Sequence, residues 1–245
     1  MDNRDFYIFG KPIETKFGKI RFLTYVEYIE NIADLNVMAL NNLHYFHQYK
    51  KYFEQTKRSQ DEQQEVNELL DIIKNEKLYK IVLSNNQNLN SYKKILSLVL
   101  EDIERIPEVF ENEVDFLYVR NLILDMQMIQ EEEVSENPEI QEFIDASKEQ
   151  KSLNSEKQTF SDIISSIVVG TGMSYKEVAE MTVLQVYSTY YRIGQFRSYD
   201  TTTLFATVSN DVSIEAWNKT IDLFKTEKAG MKMSDFKKKY GGLFW

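Results

Sequence analysis

A chain of 245 residues with 42% hydrophobic side chains, among them 15 Tyr and 15 Phe, carries enough apolar surface for a substantial core, which excludes wholesale disorder. A formal charge of −10 opposes binding to nucleic acid or to an anionic membrane, because either would be repelled by most of the surface. With no cysteine there are no disulfides, thiolate nucleophiles, thiolate zinc sites or iron–sulfur clusters, and 8 Gly with 3 Pro are too few for the corners of a many-turned β-sandwich.

The first segment reads as extended. Phe6-Tyr7-Ile8-Phe9 is aromatic, Gly10 and Pro12 punctuate, and residues 14–23 alternate around Gly18, predicting a β-hairpin or small three-stranded ribbon over about residues 6–23. Such a ribbon must pack on helices to be stable. Thr24-Tyr25-Val26-Glu27 has the form of a capping box, and apolar residues then recur at helical spacing from Tyr25 to Phe53, with a break near Asn41-Asn42. Ser59-Gln60-Asp61-Glu62 caps a helix carrying Val66, Leu69, Leu70, Ile73 and Leu78. Residues 85–90 read as a polar turn, Ser91 opens a helix that Pro107 ends, and Phe110 to Met128 forms another.

From 131 to 158 the chain is acidic and polar, a solvated linker with a short surface helix after Pro138. Phe160 to Val169 reads as a helix stopped by Gly170-Thr171-Gly172. Ser174-Tyr175-Lys176-Glu177 is a further capping box, and the helix it opens is interrupted at Gly194. A helix with Ile214, Trp217, Ile221 and Phe224 follows, then a short one from Ser234. The fold expected is therefore mainly α, a bundle-like helical body with a short N-terminal β-hairpin. Its divisions are an N-terminal domain at 1–130, an acidic linker at 131–158 and a C-terminal helical domain at 159–245.

Candidate chemistry is sparse. His44 and His47, the two histidines, stand three apart, whereas the metalloprotease pattern needs i and i+4 with an intervening Glu. No third ligand accompanies them, so no metal site is expected. Gly170-Thr171-Gly172 lacks both the third glycine of a dinucleotide motif and the Gly-Lys-Ser/Thr of a phosphate loop, and reads as a helix C-cap joined to the next N-cap. No Gly-x-Ser-x-Gly elbow is present. The expectation is a protein with no catalytic residues and no cofactor.

What concentrates instead is contact-forming chemistry. Tyr190, Tyr191, Arg192, Phe196, Arg197 and Tyr199 gather aromatics with two of the seven arginines, the residue types enriched where proteins bind proteins. The same stripe at helical spacing also suits a core with its arginines snorkelling outward. The end of the sequence sets Lys237-Lys238-Lys239 before Gly241-Gly242 and an apolar Leu243-Phe244-Trp245, a terminus either folded onto its own chain or offered to a partner. Phe244 and Trp245 join the candidate partner-binding residues.

The excess of Lys over Arg and the abundance of Asn, Ile and Tyr suit an AT-rich genome, that of a low-GC bacterium or one of its viruses. The run from Gly10 to Leu23, the following Thr24-Tyr25-Val26-Glu27-Tyr28 and the later stretch Ser174 to Met181 together resemble the tail-assembly proteins of bacteriophages of low-GC bacteria, especially the chaperones encoded near the tape measure. That resemblance implies a non-enzymatic protein binding tape-measure or tube subunits. With no signal peptide in MDNRDFYIFG and no long apolar span, its expected place is the cytoplasm of the bacterial host, or the virion. A structural baseplate or connector subunit and a host-directed regulator are the alternatives.

Overall fold

The computed structural model describes residues 3–55, 59–132, 134–154, 158–209 and 213–224. Among them a 3-10 segment (Asn3–Phe9) precedes a hairpin of β1 (Ile13–Thr15) and β2 (Gly18–Ile20). Twelve helices follow in these residues: α1 (Tyr25–Glu30), α2 (Ile32–Ala39), α3 (Asn42–Glu54), α4 (Gln60–Asn75), α5 (Leu78–Ser84), α6 (Asn86–Val99), α7 (Ile106–Val109), α8 (Glu113–Met126), α9 (Pro138–Asn154), α10 (Phe160–Thr171), α11 (Tyr175–Glu180) and α12 (Val183–Ala206). The mainly helical fold with its N-terminal hairpin is as the sequence leads one to expect. The described residues divide into two compact units, 3–131 with 158–224 and a second one that holds α9.

In the first unit the antiparallel hairpin pairs Ile13 with Ile20 and Thr15 with Gly18. Gly18 holds φ +95°, a left-handed conformation that costs a glycine little, and the Thr15 hydroxyl donates to the Gly18 carbonyl at 2.7 Å. The ribbon is completed from a distance. Ile20 bridges Leu100, while the amides of Arg21 and Glu101 donate to the carbonyls of Val99 and Lys19. The hairpin is thereby fastened to the end of α6, and buried Phe17, Ile20 and Leu23 seal the joint.

The body is built on α2 against α6, with α5 and α8 packed beside them, and α3 lies along α4. Tyr92, Ile95, Leu96 and Val99 of α6 meet Leu35 and Met38 of α2 and Phe116, Val119 and Ile123 of α8 in one cluster of buried side chains. Helix α1 contacts α2 and also α11 and α12, so the same core continues through Tyr25 and Tyr28 to Ile163, Ile167, Val178 and Val186.

Local chemistry accounts for most helix starts. The boxes at Thr24/Glu27, Ser59/Glu62 and Ser174/Glu177 all form, and three more close at Asn41/His44, Thr159/Asp162 and Thr182/Gln185. Gly172 ends α10 at φ +77° with its amide on the Val168 carbonyl. Glu27 also takes a two-pronged ion pair from Arg21, both contacts at 2.8 Å. That guanidinium is the main reason its carboxyl is lowered to about 2.

Several expected boundaries are corrected. Residues 3–9 are 3-10 helical rather than extended: the Gly10 amide donates to the Tyr7 carbonyl at 2.9 Å, Tyr7 packs edge-on against Phe22, and Gly10 turns the chain at φ +61°. The stretch 85–90 is no turn, since the Asn85 side chain accepts from the amides of Gln87 and Asn88 and starts α6. Pro107 does not end α6 but sits in the first turn of α7, where a missing N–H is harmless. The helix after Pro138 runs 17 residues, and α12 passes through Gly194 unbroken. Residues 213–224 are not helical, because the carbonyls of Trp217 and Lys219 go to a side chain of α12. The helix expected from Ser234 lies outside the described residues.

Candidate functional site

Helix α12 starts in a tightly held corner. Its N-cap Thr182 forms an antiparallel bridge with Thr24, the N-cap of α1, and the Tyr25 amide donates to the Met181 carbonyl at 2.6 Å. The Gln185 side chain accepts from the Thr182 amide at 2.8 Å and donates to the Ile8 carbonyl at 2.9 Å. Val183, Leu184 and Val186 are buried, and Tyr187 stands edge-on to Tyr25. Burial raises the phenols of Tyr25, Tyr28 and Tyr187 above their ordinary range, Tyr28 to about 12, so these tyrosines stay neutral and structural.

Nearly two turns further on, α12 meets α10 at Gly170. A Cβ there would approach the Ile193 side chain to 2.9 Å, so glycine is what lets the two helices close up. Beside this crossing lies an open groove of about 600 Å³. Thr171, Ser188 and Thr189 line one part; Ile193, Phe196, Trp217 and Ile221 supply apolar walls, and Arg192 and Arg197 supply charge.

The sequence-predicted residues divide over this region. Arg192, Phe196 and Arg197 line the groove. Nη1 of Arg192 donates to the carbonyls of Trp217 at 2.8 Å and Lys219 at 2.9 Å, so the arginine straps residues 213–224 onto α12. Phe196 meets Trp217 edge-on at 5.7 Å. Tyr190 and Tyr199 are half-buried, and the Tyr190 hydroxyl accepts from Gln158 at 2.6 Å. Tyr191 is exposed and packs against Tyr187 and Tyr190. Phe244 and Trp245 lie outside the described residues.

Sequence reading missed the end of this surface. Past the strap, Leu204 and Phe205 in the last turn of α12 and Val208 in the turn just beyond it are 71%, 60% and 81% exposed. The signal was present as apolar residues at i, i+1 and i+4, but it was indistinguishable from a core stripe without knowing what lies opposite. His44 is used locally: its Nδ1 accepts from the Asn41 amide at 3.2 Å as part of the α3 cap, and His47 packs edge-on to Phe46. Among the described residues no group of three or more His, Cys, Asp and Glu side chains is placed to hold a metal ion, and no helix is long and apolar enough to cross a membrane.

Comparison with known proteins matches two family models, the YomV N-terminal domain over residues 1–136 and the YomV second domain over residues 148–222. A similar relative is the SPbeta prophage-derived protein YomV of Bacillus subtilis (strain 168), 38% identical over 166 residues, which cover 67% of this chain and 69% of the relative. That relative's name carries a prophage origin and no activity. No solved structure matches.

Proposed function

The chain belongs to the YomV family, and from that premise we propose that it serves phage tail morphogenesis as an assembly chaperone, working by protein–protein contact and not by catalysis. The observation that carries this reading is the exposed apolar end of α12. Leu204 and Phe205 in its last turn and Val208 just after it are all exposed, and an exposed apolar cluster on an otherwise charged protein marks a place where another protein sits. The prophage origin of the relative and the resemblance of residues 10–28 and 174–181 to tail chaperones support the choice of a phage partner. The acidic balance of the chain disfavours nucleic acid as that partner.

The partners proposed are tape-measure or tube subunits, met in the host cytoplasm before assembly. Affinity purification of the tagged chain from infected or lysogenic cells, followed by mass spectrometry of the eluate and of purified particles, tests the reading. Tail proteins in the eluate, with the chain absent from finished particles, are expected. Recovery of nucleic acid alone, or turnover of a small substrate by the purified protein, overturns it. Fixed stoichiometry in particles assigns the chain to the virion as a structural component, and an eluate of bacterial proteins alone assigns it to host regulation.

A further inference from the structure

Helix α9 carries an apolar stripe on a strongly acidic segment. Ile140 and Phe143 are 51% and 64% exposed, and with half-buried Ile144 they follow the i, i+3, i+4 spacing of one helix face. Glu139, Glu142, Asp145 and Glu149 stand around that stripe, and residues 131–157 hold nine acidic residues against three lysines. An acidic helix with an apolar stripe fits an occupant that is basic and ends in large apolar side chains.

This chain contains one. Residues 225–245 carry six lysines against two acidic residues, opposite in sign to a protein whose net charge is −10, and close with Leu243-Phe244-Trp245. The place where that segment leaves the first unit is also fixed. The Gln130 side chain donates to the Phe224 carbonyl at 2.9 Å, so the chain sets out toward α9 and toward residue 245 from the same point. A stretch of 21 residues reaches roughly 70 Å when extended, and a helix of 17 residues is about 25 Å long, so the lysines and the aromatic end reach any part of α9. Tethering from a shared origin gives an effective concentration in the millimolar range, which favours this occupant over a second copy at ordinary protein concentrations.

We propose that residues 225–245 dock in cis on α9, with Lys237, Lys238 and Lys239 against its carboxylates and Phe244 and Trp245 over Ile140 and Phe143. Phe244 and Trp245 then serve an internal contact rather than a foreign partner. This docking does not depend on a role in tail assembly, and its failure leaves that reading untouched.

Zero-length carbodiimide coupling of the full-length chain, mixed one to one with its 15N-labelled form, tests it by mass spectrometry. Expected are links from Lys237, Lys238 or Lys239 to Glu139, Glu142, Asp145 or Glu149 within single chains, lost in E139K/E142K. Links to α9 found only between labelled and unlabelled chains overturn the cis arrangement in favour of a second copy. Tail-lysine links confined to carboxylates outside α9, or their absence, overturn the docking itself. Trypsin gives an independent reading: in F143D, with helical content unchanged by circular dichroism, cleavage after the three lysines is expected to be roughly tenfold faster than in the parent chain. Equal rates count against the contact.

Discussion

Helix α6 and the far half of α12 have similar apolar endowments and opposite fates. In α6 the side chains of Tyr92, Ile95, Leu96 and Val99 are all buried, between α2 on one side and α5 and α7 on others, with Phe116 of α8 stacked on Tyr92. In α12 only Val183, Leu184 and Val186, next to the bridged caps Thr24 and Thr182, are buried, and apolar exposure rises toward Val208. Apolar periodicity specifies a helix with a sticky face. Whether that face becomes core or contact surface is decided by which elements fold back over it. For α6 those elements come from the same chain; for the end of α12 they come, on the function proposed above, from another protein.

Substitutions that separate the two regions sharpen this contrast. Ile95→Ala on α6 is expected to cost about 2–5 kcal/mol in urea unfolding, because the site is closed on every side and a cavity would remain. Next in size is Arg120→Met. Arg120 is 3% exposed and donates from Nε to the Met38 carbonyl at 2.7 Å and from Nη2 to the Leu40 carbonyl and Glu131, so it ties off the end of α2. Methionine fills the space and satisfies none of these acceptors, and a loss of about 2–3 kcal/mol is expected from the same unfolding curves. Gly170→Val, which drives a side chain into Ile193 where α10 and α12 cross, is expected to cost about 1–3 kcal/mol and to lower the melting temperature.

A smaller effect follows from pH. The Glu27 carboxyl is depressed in the folded chain, chiefly by Arg21, so its contribution is present above the ordinary carboxylate range and is lost as pH falls through about 2. The pair is partly open to solvent, which limits that contribution to about 1 kcal/mol. Glu27→Gln should therefore lower stability at neutral pH by that amount and flatten the decline between pH 4.5 and about 2, as measured by acid titration of the unfolding midpoint.

What could be read from the sequence was whatever is decided within four or five residues. Thr24 and Glu27, Ser59 and Glu62, and Ser174 and Glu177 announce their helices because donor and acceptor belong to one turn, and Gly172 announces an end for the same reason. The non-local parts stayed hidden. Leu100 completes the ribbon begun by Ile20, 80 residues earlier, and nothing in its own neighbourhood says so. Ile214, Trp217, Ile221 and Phe224 have the spacing of a helix, but Arg192 takes two of that segment's carbonyls and holds it irregular. At the candidate site the aromatic and arginine cluster was visible as composition, while the partition into strap, groove and open face depended on α10 and residues 213–224.

The contrast turns on Leu204 and Phe205, and the double variant Leu204→Ser/Phe205→Ser tests it most directly. Both side chains already face solvent, so stability is expected to stay within about 0.5 kcal/mol of the parent chain. Quantitative co-purification from infected cells, parent against variant, is then the deciding measurement. Loss of the partner proteins with an unchanged unfolding midpoint is the predicted result. Full retention of those partners, or a destabilisation as large as that of Ile95→Ala, would contradict the claim that the end of α12 is a surface kept open for another protein.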